Sequence, residues 1–205
     1  MDTTYYWRKY WIMVFRWWPL RKNLYWKEVP RETKQDYVDW INKLKNDWRE
    51  IIGIVCDWKR WLLWWFDWIP MQMCHFHQKQ IVRRYIMKTP ILEENLELKD
   101  IASFIWKLRK DTLKQRLDSW KQRNSRFLKE RNDNWWFKHW RTRSAYRSLE
   151  YNLPYLYTYK NIEDMPNTIN SLEWTFAHLK EKIWLHRWLT KQRKRKLIDD
   201  YLSKK

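Results

Sequence analysis

Glycine occurs once in this chain of 205 residues, at Gly53, where average usage of about 7% would place on the order of fourteen. Positions that favour positive φ or a close backbone approach are therefore left to other residues. Cysteine is almost as scarce. Cys56 and Cys74 lie in apolar runs and set up no disulfide framework, which points to a reducing compartment. Long hydrophobic runs are missing too: the most apolar stretch, 51–69, is broken by Asp57, Lys59, Arg60 and Asp67, which argues against a transmembrane helix and for a soluble protein. The N-terminus has no charged region followed by an apolar core and a small-residue cleavage site, so no secretory signal is expected. Acidic charge is in short supply, with 24 Asp and Glu against 43 Lys and Arg. The resulting net charge of +19 favours an anionic partner, nucleic acid first and a membrane surface second.

Tryptophan runs the other way, with 20 copies. Many stand where the local pattern asks for a turn or a helix terminus: Trp7 and Trp11 flank Arg8-Lys9, Trp58 and Trp61 follow an apolar strand, and Trp184 and Trp188 bracket a helix break. The doublets Trp17-Trp18 and Trp64-Trp65 fit neither a helical nor a strand period. One reading is that many of these residues are glycine in the natural protein, their UGA codons having been read as Trp. UGG codons at Trp7, Trp58, Trp174 and Trp188 would refute it. The other reading is an aromatic protein whose tryptophans form its core or stack on bases.

The length suits one domain with a helical elaboration, or two small domains, and is enough to bury a core. Residues 10–15 and 24–29 are β-branched or aromatic, and the basic, Pro-containing stretch 19–23 separates them like a hairpin turn, so two antiparallel strands are expected. Thr33 and Asp36 resemble a capping box, after which Tyr37, Ile41, Leu44 and Ile51 approximate one face of a helix over 33–49. The apolar run 51–56 reads as a buried strand ending on Asp57, and 69–74 as a second, parallel to it after a short helical crossover. Residues 91–131 form a helical insertion, with Leu113, Leu117, Trp120, Phe127 and Leu128 at near-helical spacing. A basic helix over 141–153 follows, then a short strand at 155–159 and a loop at 161–168. Leu172, Phe176, Leu179 and Ile183 make one helical stripe, and Thr190 is placed to cap a last basic helix.

Asp2, Asp57 and Glu173 are far apart in sequence, so only folding could gather them. Taken singly, Asp2 reads as a solvated terminal acid, Asp57 as a strand-end turn residue and Glu173 as a first-turn acid favoured by the helix dipole. Five blocks in order change that reading: Asp2-Thr3-Thr4-Tyr5-Tyr6, Ile54-Val55-Cys56-Asp57, Met73-Cys74-His75-Phe76-His77-Gln78, Arg143-Ser144-Ala145-Tyr146-Arg147-Ser148-Leu149, and Pro166-Asn167-Thr168-Ile169-Asn170-Ser171-Leu172-Glu173. Together they resemble the DDE transposases of bacterial insertion sequences related to the Mutator superfamily, and the resemblance runs nearly end to end. It implies an α/β fold, a ribonuclease-H-like mixed sheet with flanking helices and a helical insertion between the second Asp and the Glu. The expected division is 1–90 for the first part of the core, 91–153 for the insertion and 154–205 for the rest. Asp2, Asp57 and Glu173 match the family's catalytic, metal-binding acids, and Cys74 and His77 match its C-x-x-H element. The family carries DNA-binding segments ahead of its first Asp, so a catalytic domain without them is expected, and where relatives favour Gly after the Glu this chain has Trp174.

Carboxylates suit that role on physical grounds. Hard divalent cations prefer oxygen ligands, and two Mg²⁺ or Mn²⁺ ions can stabilise the attacking and leaving oxygens of a phosphodiester together. Cys74 and His77 have metal-like spacing, but a zinc site wants four ligands and no second Cys/His pair is evident, so a packing or hydrogen-bonding role is expected. His75, His139, His178 and His186 show no nucleophile or acid partner in the sequence. Arg141, Arg143 and Arg147, with Lys180, Lys182, His186, Arg187, Lys191, Arg193, Lys194 and Arg195, are expected to track a DNA backbone without reading its sequence. Singly, each reads as a solvated surface charge. The resemblance implies transposon ends and target DNA, both double-stranded, as partners, together with self-association, a bacterial cytoplasmic location on the nucleoid, and neither a membrane nor a small-molecule substrate. The rival expectations are a noncatalytic nucleic-acid-binding module and, more weakly, a Trp-rich helical protein adsorbing to anionic membrane.

Overall fold

The computed structural model describes residues 1–7, 10–18, 20–47, 50–57, 66 and 68–205. Three strands, β1 (Asp2–Trp7), β2 (Tyr10–Trp17) and β3 (Lys22–Val29), form an antiparallel meander in chain order. Strand period places successive residues of β2 on opposite faces, and both faces are apolar. Ile12 and Val14 turn one way, Met13 and Phe15 the other, and all four are buried. The β2–β3 hairpin is the one expected from the sequence. β1 was not anticipated, because its leading Asp-Thr-Thr is polar and carries no strand alternation.

Helix α1 (Lys34–Asn46) begins at the expected capping box, with Thr33 accepting from the Asp36 amide while the Asp36 carboxylate accepts from Thr33. Its buried Tyr37, Trp40 and Ile41 cover the Met13 and Phe15 face, where Trp40 stacks on Phe15 at 4.3 Å. Strands β4 (Ile54–Cys56) and β5 (Met71–Met73) are parallel, as expected, with Ile54 opposite Met71. The helical crossover expected between them falls mainly on residues outside the described set. The Met1 nitrogen donates to the Val55 carbonyl at 2.8 Å, so the start of β1 lies beside β4. Gly53 is needed for close approach: a Cβ there would sit 2.9 Å from Ile162 Cδ1 and 3.3 Å from the Pro70 carbonyl.

A second core, joined to the first through Tyr155, is helical. It is built by α2 (His75–Ile86), α3 (Glu93–Ser103), α4 (Lys110–Arg123), the short α5 (Ser125–Lys129) and α6 (Trp140–Asn152), around Val82, Leu98, Ile105, Leu117, Trp120 and Leu149. This core draws in α2 ahead of residue 91, and Leu153, Leu156 and Tyr157 behind α6. The strand expected at 155–159 is not one: the segment forms two 3-10 turns, Leu153–Leu156 and Thr158–Asn161. Pro154 presets the first turn. Gln72, buried on β5, then donates to the Leu156 carbonyl at 3.1 Å and accepts the Tyr159 amide at 2.9 Å, taking backbone groups that a strand partner would need.

Helix α7 (Asn170–Leu185) lays Leu172, Phe176 and Leu179 on the Ile12 and Val14 face, and α8 (Lys191–Ser203) closes that core with Leu202. Burying each such side chain contributes roughly 1.5–3 kcal/mol. Thr190 caps α8 as expected, accepting from the Arg193 amide. No helix among the described residues is long and apolar enough to cross a membrane.

Candidate active site

Because β4 and β5 run in parallel, the residues that follow them share one edge of the sheet. Asp57 follows β4, and Cys74 follows β5 and starts α2, which carries His77 in its first turn. The same edge holds the loop into α7: the His75 amide donates to the Asn167 carbonyl at 3.0 Å, and the Ile169 amide to the Cys74 Sγ at 3.4 Å. These bonds bring the first turns of α2 and α7 together, and with them His77 and Glu173. Their contact is direct, with His77 Nε2 2.9 Å from Glu173 Oε1. Asp57 Oδ2 lies 3.9 Å from the same nitrogen. Asp2, at the start of β1, completes the group: one ligand atom each from Asp2, His77 and Glu173 lie within 4.8 Å of one another.

All three acids singled out in the sequence thus border one imidazole, with Asp57 just outside the tightest set. That set of two carboxylates and a histidine could hold a metal ion. His77 is the residue whose importance sequence reasoning understated. Its C-x-x-H spacing was visible, but its carboxylate partners come from α7 and β4.

Burial pushes the Asp2 carboxyl up to about 6, against the opposing pull of His77 and of the Thr3 amide, which donates to Asp2 Oδ1 at 2.8 Å. Burial alone would depress the His77 imidazole, but the Cys74 thiol and the Glu173 carboxylate outweigh it, and with Asp57 nearby hold the ring up to about 10. The His77 Nδ1 is buried and makes no hydrogen bond of normal geometry, so the thiol acts on the ring by proximity rather than through a formed bond. At neutral pH the cluster is therefore a cation ringed by acids. Cys56 is buried and its thiol is pushed up to about 12, which removes it as a nucleophile.

A guanidinium braces the opposite side of α7. Arg16, on β2, donates from one terminal nitrogen to the Ser171 carbonyl at 2.8 Å and from the other to Thr175 Oγ1 at 2.9 Å. In sequence it is a lone basic residue after an apolar run, with nothing to announce a role.

The expected DNA-facing residues divide. Arg141, Arg147, Lys180, Lys182, His186, Arg187, Lys191 and Arg193 are exposed. The other three bond to acceptors within the protein. Lys194 is buried and donates to the Arg187 carbonyl at 2.8 Å. Arg143 is half-buried and donates to the Leu128 carbonyl at 2.7 Å with its guanidinium over the Phe137 ring, while Arg195 stays exposed and forks onto both carboxylate oxygens of Glu28. Each meets a protein acceptor, which helical periodicity alone could not reveal.

No protein-family model matches this chain, and neither does any curated protein or solved structure.

Proposed function

We propose that this chain is the catalytic domain of a DDE transposase, cleaving DNA at transposon ends and joining it to target DNA. The observation that carries this reading is the convergence of Asp2 and Glu173 on His77, with Asp57 at 3.9 Å, from four separate elements. The sheet supports it. The Met1 bond to Val55 brings the three-stranded sheet, with β1 at its edge, beside the separate β4–β5 pair, and a ribonuclease-H-like core would carry its acids at β1, after β4 and on a late helix.

The donor set fits hard divalent cations: two carboxylates, partly buried, with a third carboxylate 3.9 Å from the same imidazole. Asp2, Asp57 and Glu173 would hold a pair of Mg²⁺ or Mn²⁺ ions, whose charge would stabilise the attacking and leaving oxygens. The chain's own residues do the rest. His77 fixes the rotamer of Glu173 through its 2.9 Å contact. The exposed Arg141 and Arg147, with exposed Lys180, Lys182, Arg187, Lys191 and Arg193, hold the phosphate backbone of double-stranded DNA. Water attacks phosphorus in cleavage and the P–O3′ bond breaks to free a 3′-hydroxyl; that hydroxyl then attacks a target phosphodiester in joining, displacing the target strand's 3′-oxygen, which leaves as a hydroxyl. Transposases bring two DNA ends together, so self-association belongs to this reading, as does work on the nucleoid of a bacterial cytoplasm.

Exposed Trp174, Trp184 and Trp188 among basic residues favour a second reading, a noncatalytic module that stacks on bases. Asp57→Asn separates the two in an assay of Mg²⁺-dependent nicking of a transposon-end duplex. The transposase reading expects nicking to fall by roughly 10²–10³-fold or more with binding retained, the scale of losing one preorganised charge partner. Wild-type binding without nicking would leave the module.

A further inference from the structure

We propose that Arg16 is a positioning residue for Glu173, an inference that rests on the metal-dependent reading above. Its two terminal nitrogens grip Ser171 and Thr175, which stand two residues before and two residues after Glu173 on α7. Thr175 Oγ1 also donates to the Ser171 carbonyl at 2.9 Å, so the fork closes on one rigid helical turn. The Arg16 Nε donates to Asn23 Oδ1 at 2.8 Å, and Asn23 in turn bonds the carbonyls of Leu202 and Lys205. One planar guanidinium therefore ties α7 to β2, β3 and the end of α8, and sets the rotation at which Glu173 meets His77 and Asp2. Lysine keeps the charge but cannot reproduce the fork.

Arg16→Lys and Arg16→Met are to be compared with wild type for thermal stability, Mn²⁺ affinity by calorimetry and nicking of a DNA duplex. In folded Arg16→Lys, Mn²⁺ binding should weaken and nicking kcat should drop about 10–100-fold, the scale of a misplacement near 1 Å, while duplex affinity holds. Should Arg16→Met fail to fold, Arg16→Lys still decides the matter. Unchanged Mn²⁺ affinity in a folded Arg16→Lys variant overturns the inference. Wild type that binds Mn²⁺ at the cluster without nicking DNA overturns the transposase reading, and Arg16 is then judged on Mn²⁺ affinity alone. Wild type that binds no Mn²⁺ overturns both.

A different observation, the backbone at Trp135, carries a second inference: Trp135 occupies a position that belongs to glycine. Arg131 and Phe137 form a bridge, the Trp135 amide donates to the Asn132 carbonyl at 2.9 Å, and the Asn132 amide to the Trp136 carbonyl at 2.9 Å. This is a tight hairpin turn whose last residue lies in the left-handed region, Trp135 having φ 62°. That is the place in such a loop where glycine is preferred, since it has no Cβ. The Trp135 ring contributes no core, being 78% exposed. Trp40 and Trp120 are opposite in every respect. They are 3% and 0% exposed, Trp40 stacks on Phe15, and Trp120 stacks on Tyr146 and donates from Nε1 to the Glu94 carbonyl at 3.2 Å. Since UGA and UGG differ by one base, the codon should be UGA at Trp135 and UGG at Trp40 and Trp120. In the protein, Trp135→Gly should raise Tm and Trp135→Ala should raise it less, because alanine keeps the Cβ strain. UGG at Trp135, or a Trp135→Gly variant that melts lower than wild type, overturns the inference.

Discussion

Asp2 and His77 hold opposite ends of one electrostatic arrangement. The Asp2 carboxyl is raised by burial from 3.8 to about 6, so the folded chain binds that proton more tightly than the unfolded one. Its contribution is complete below about pH 4 and is lost as pH rises through 6. Asp2→Asn should therefore melt a few degrees higher than wild type near neutral pH without metal, with the gain shrinking as pH falls toward 4, while Mn²⁺ binding and nicking are lost. Differential scanning calorimetry across that range checks it, and a variant that melts lower at neutral pH contradicts it. His77 is also raised, to about 10 from 6.5, so its stabilisation is present below 6.5 and disappears as pH climbs through 10. His77→Ala leaves the acids without their internal cation and should cost about 1–3 kcal/mol at neutral pH in urea unfolding, the deficit narrowing toward pH 10. A deficit that does not change with pH would mark His77 as packing alone.

At the scale of elements, what the sequence revealed depended on whether the determining contacts were local. The Thr33 and Thr190 caps and the β2–β3 hairpin were legible because their partners lie within a few residues. β1 was not, since its pairing with β2 rather than its polar composition makes it a strand. The turns at 153–161 were hidden for a related reason: Gln72, distant in sequence, supplies their hydrogen bonds. Gln72→Leu strands a buried carbonyl and amide and should cost about 1–3 kcal/mol, measured by chemical denaturation. Phe176→Ala, which opens the core that seats α7 on the sheet, should cost about 3–5 kcal/mol. The acids could be singled out in the sequence only because five blocks stood in an order that resembles a known family; their meeting around His77 needed the fold.

For the molecule as a whole, a net charge of +19 gathers on the outside, while Arg143, Lys194 and Arg195, expected to face DNA, bond to acceptors within the protein. Duplex binding should weaken with salt. Replacing exposed Arg187 or Arg193 by Ala should reduce the log–log salt slope by about 0.9 each if each meets a phosphate. Lys194→Ala should instead lower thermal stability and leave that slope unchanged, because its ammonium is spent on the Arg187 carbonyl.

Convergence of Asp2, Asp57 and Glu173 around His77 underlies every functional statement above, and Mn²⁺ titration followed on the imidazole NMR signals tests it most directly. Paramagnetic broadening falls off steeply with distance, so the His77 ring signals should vanish at the lowest Mn²⁺ concentrations, with His139, His178 and His186 still sharp, and Glu173→Gln should abolish the effect. Broadening that spares His77, or that spreads evenly over the exposed histidines, would contradict a metal site at that place.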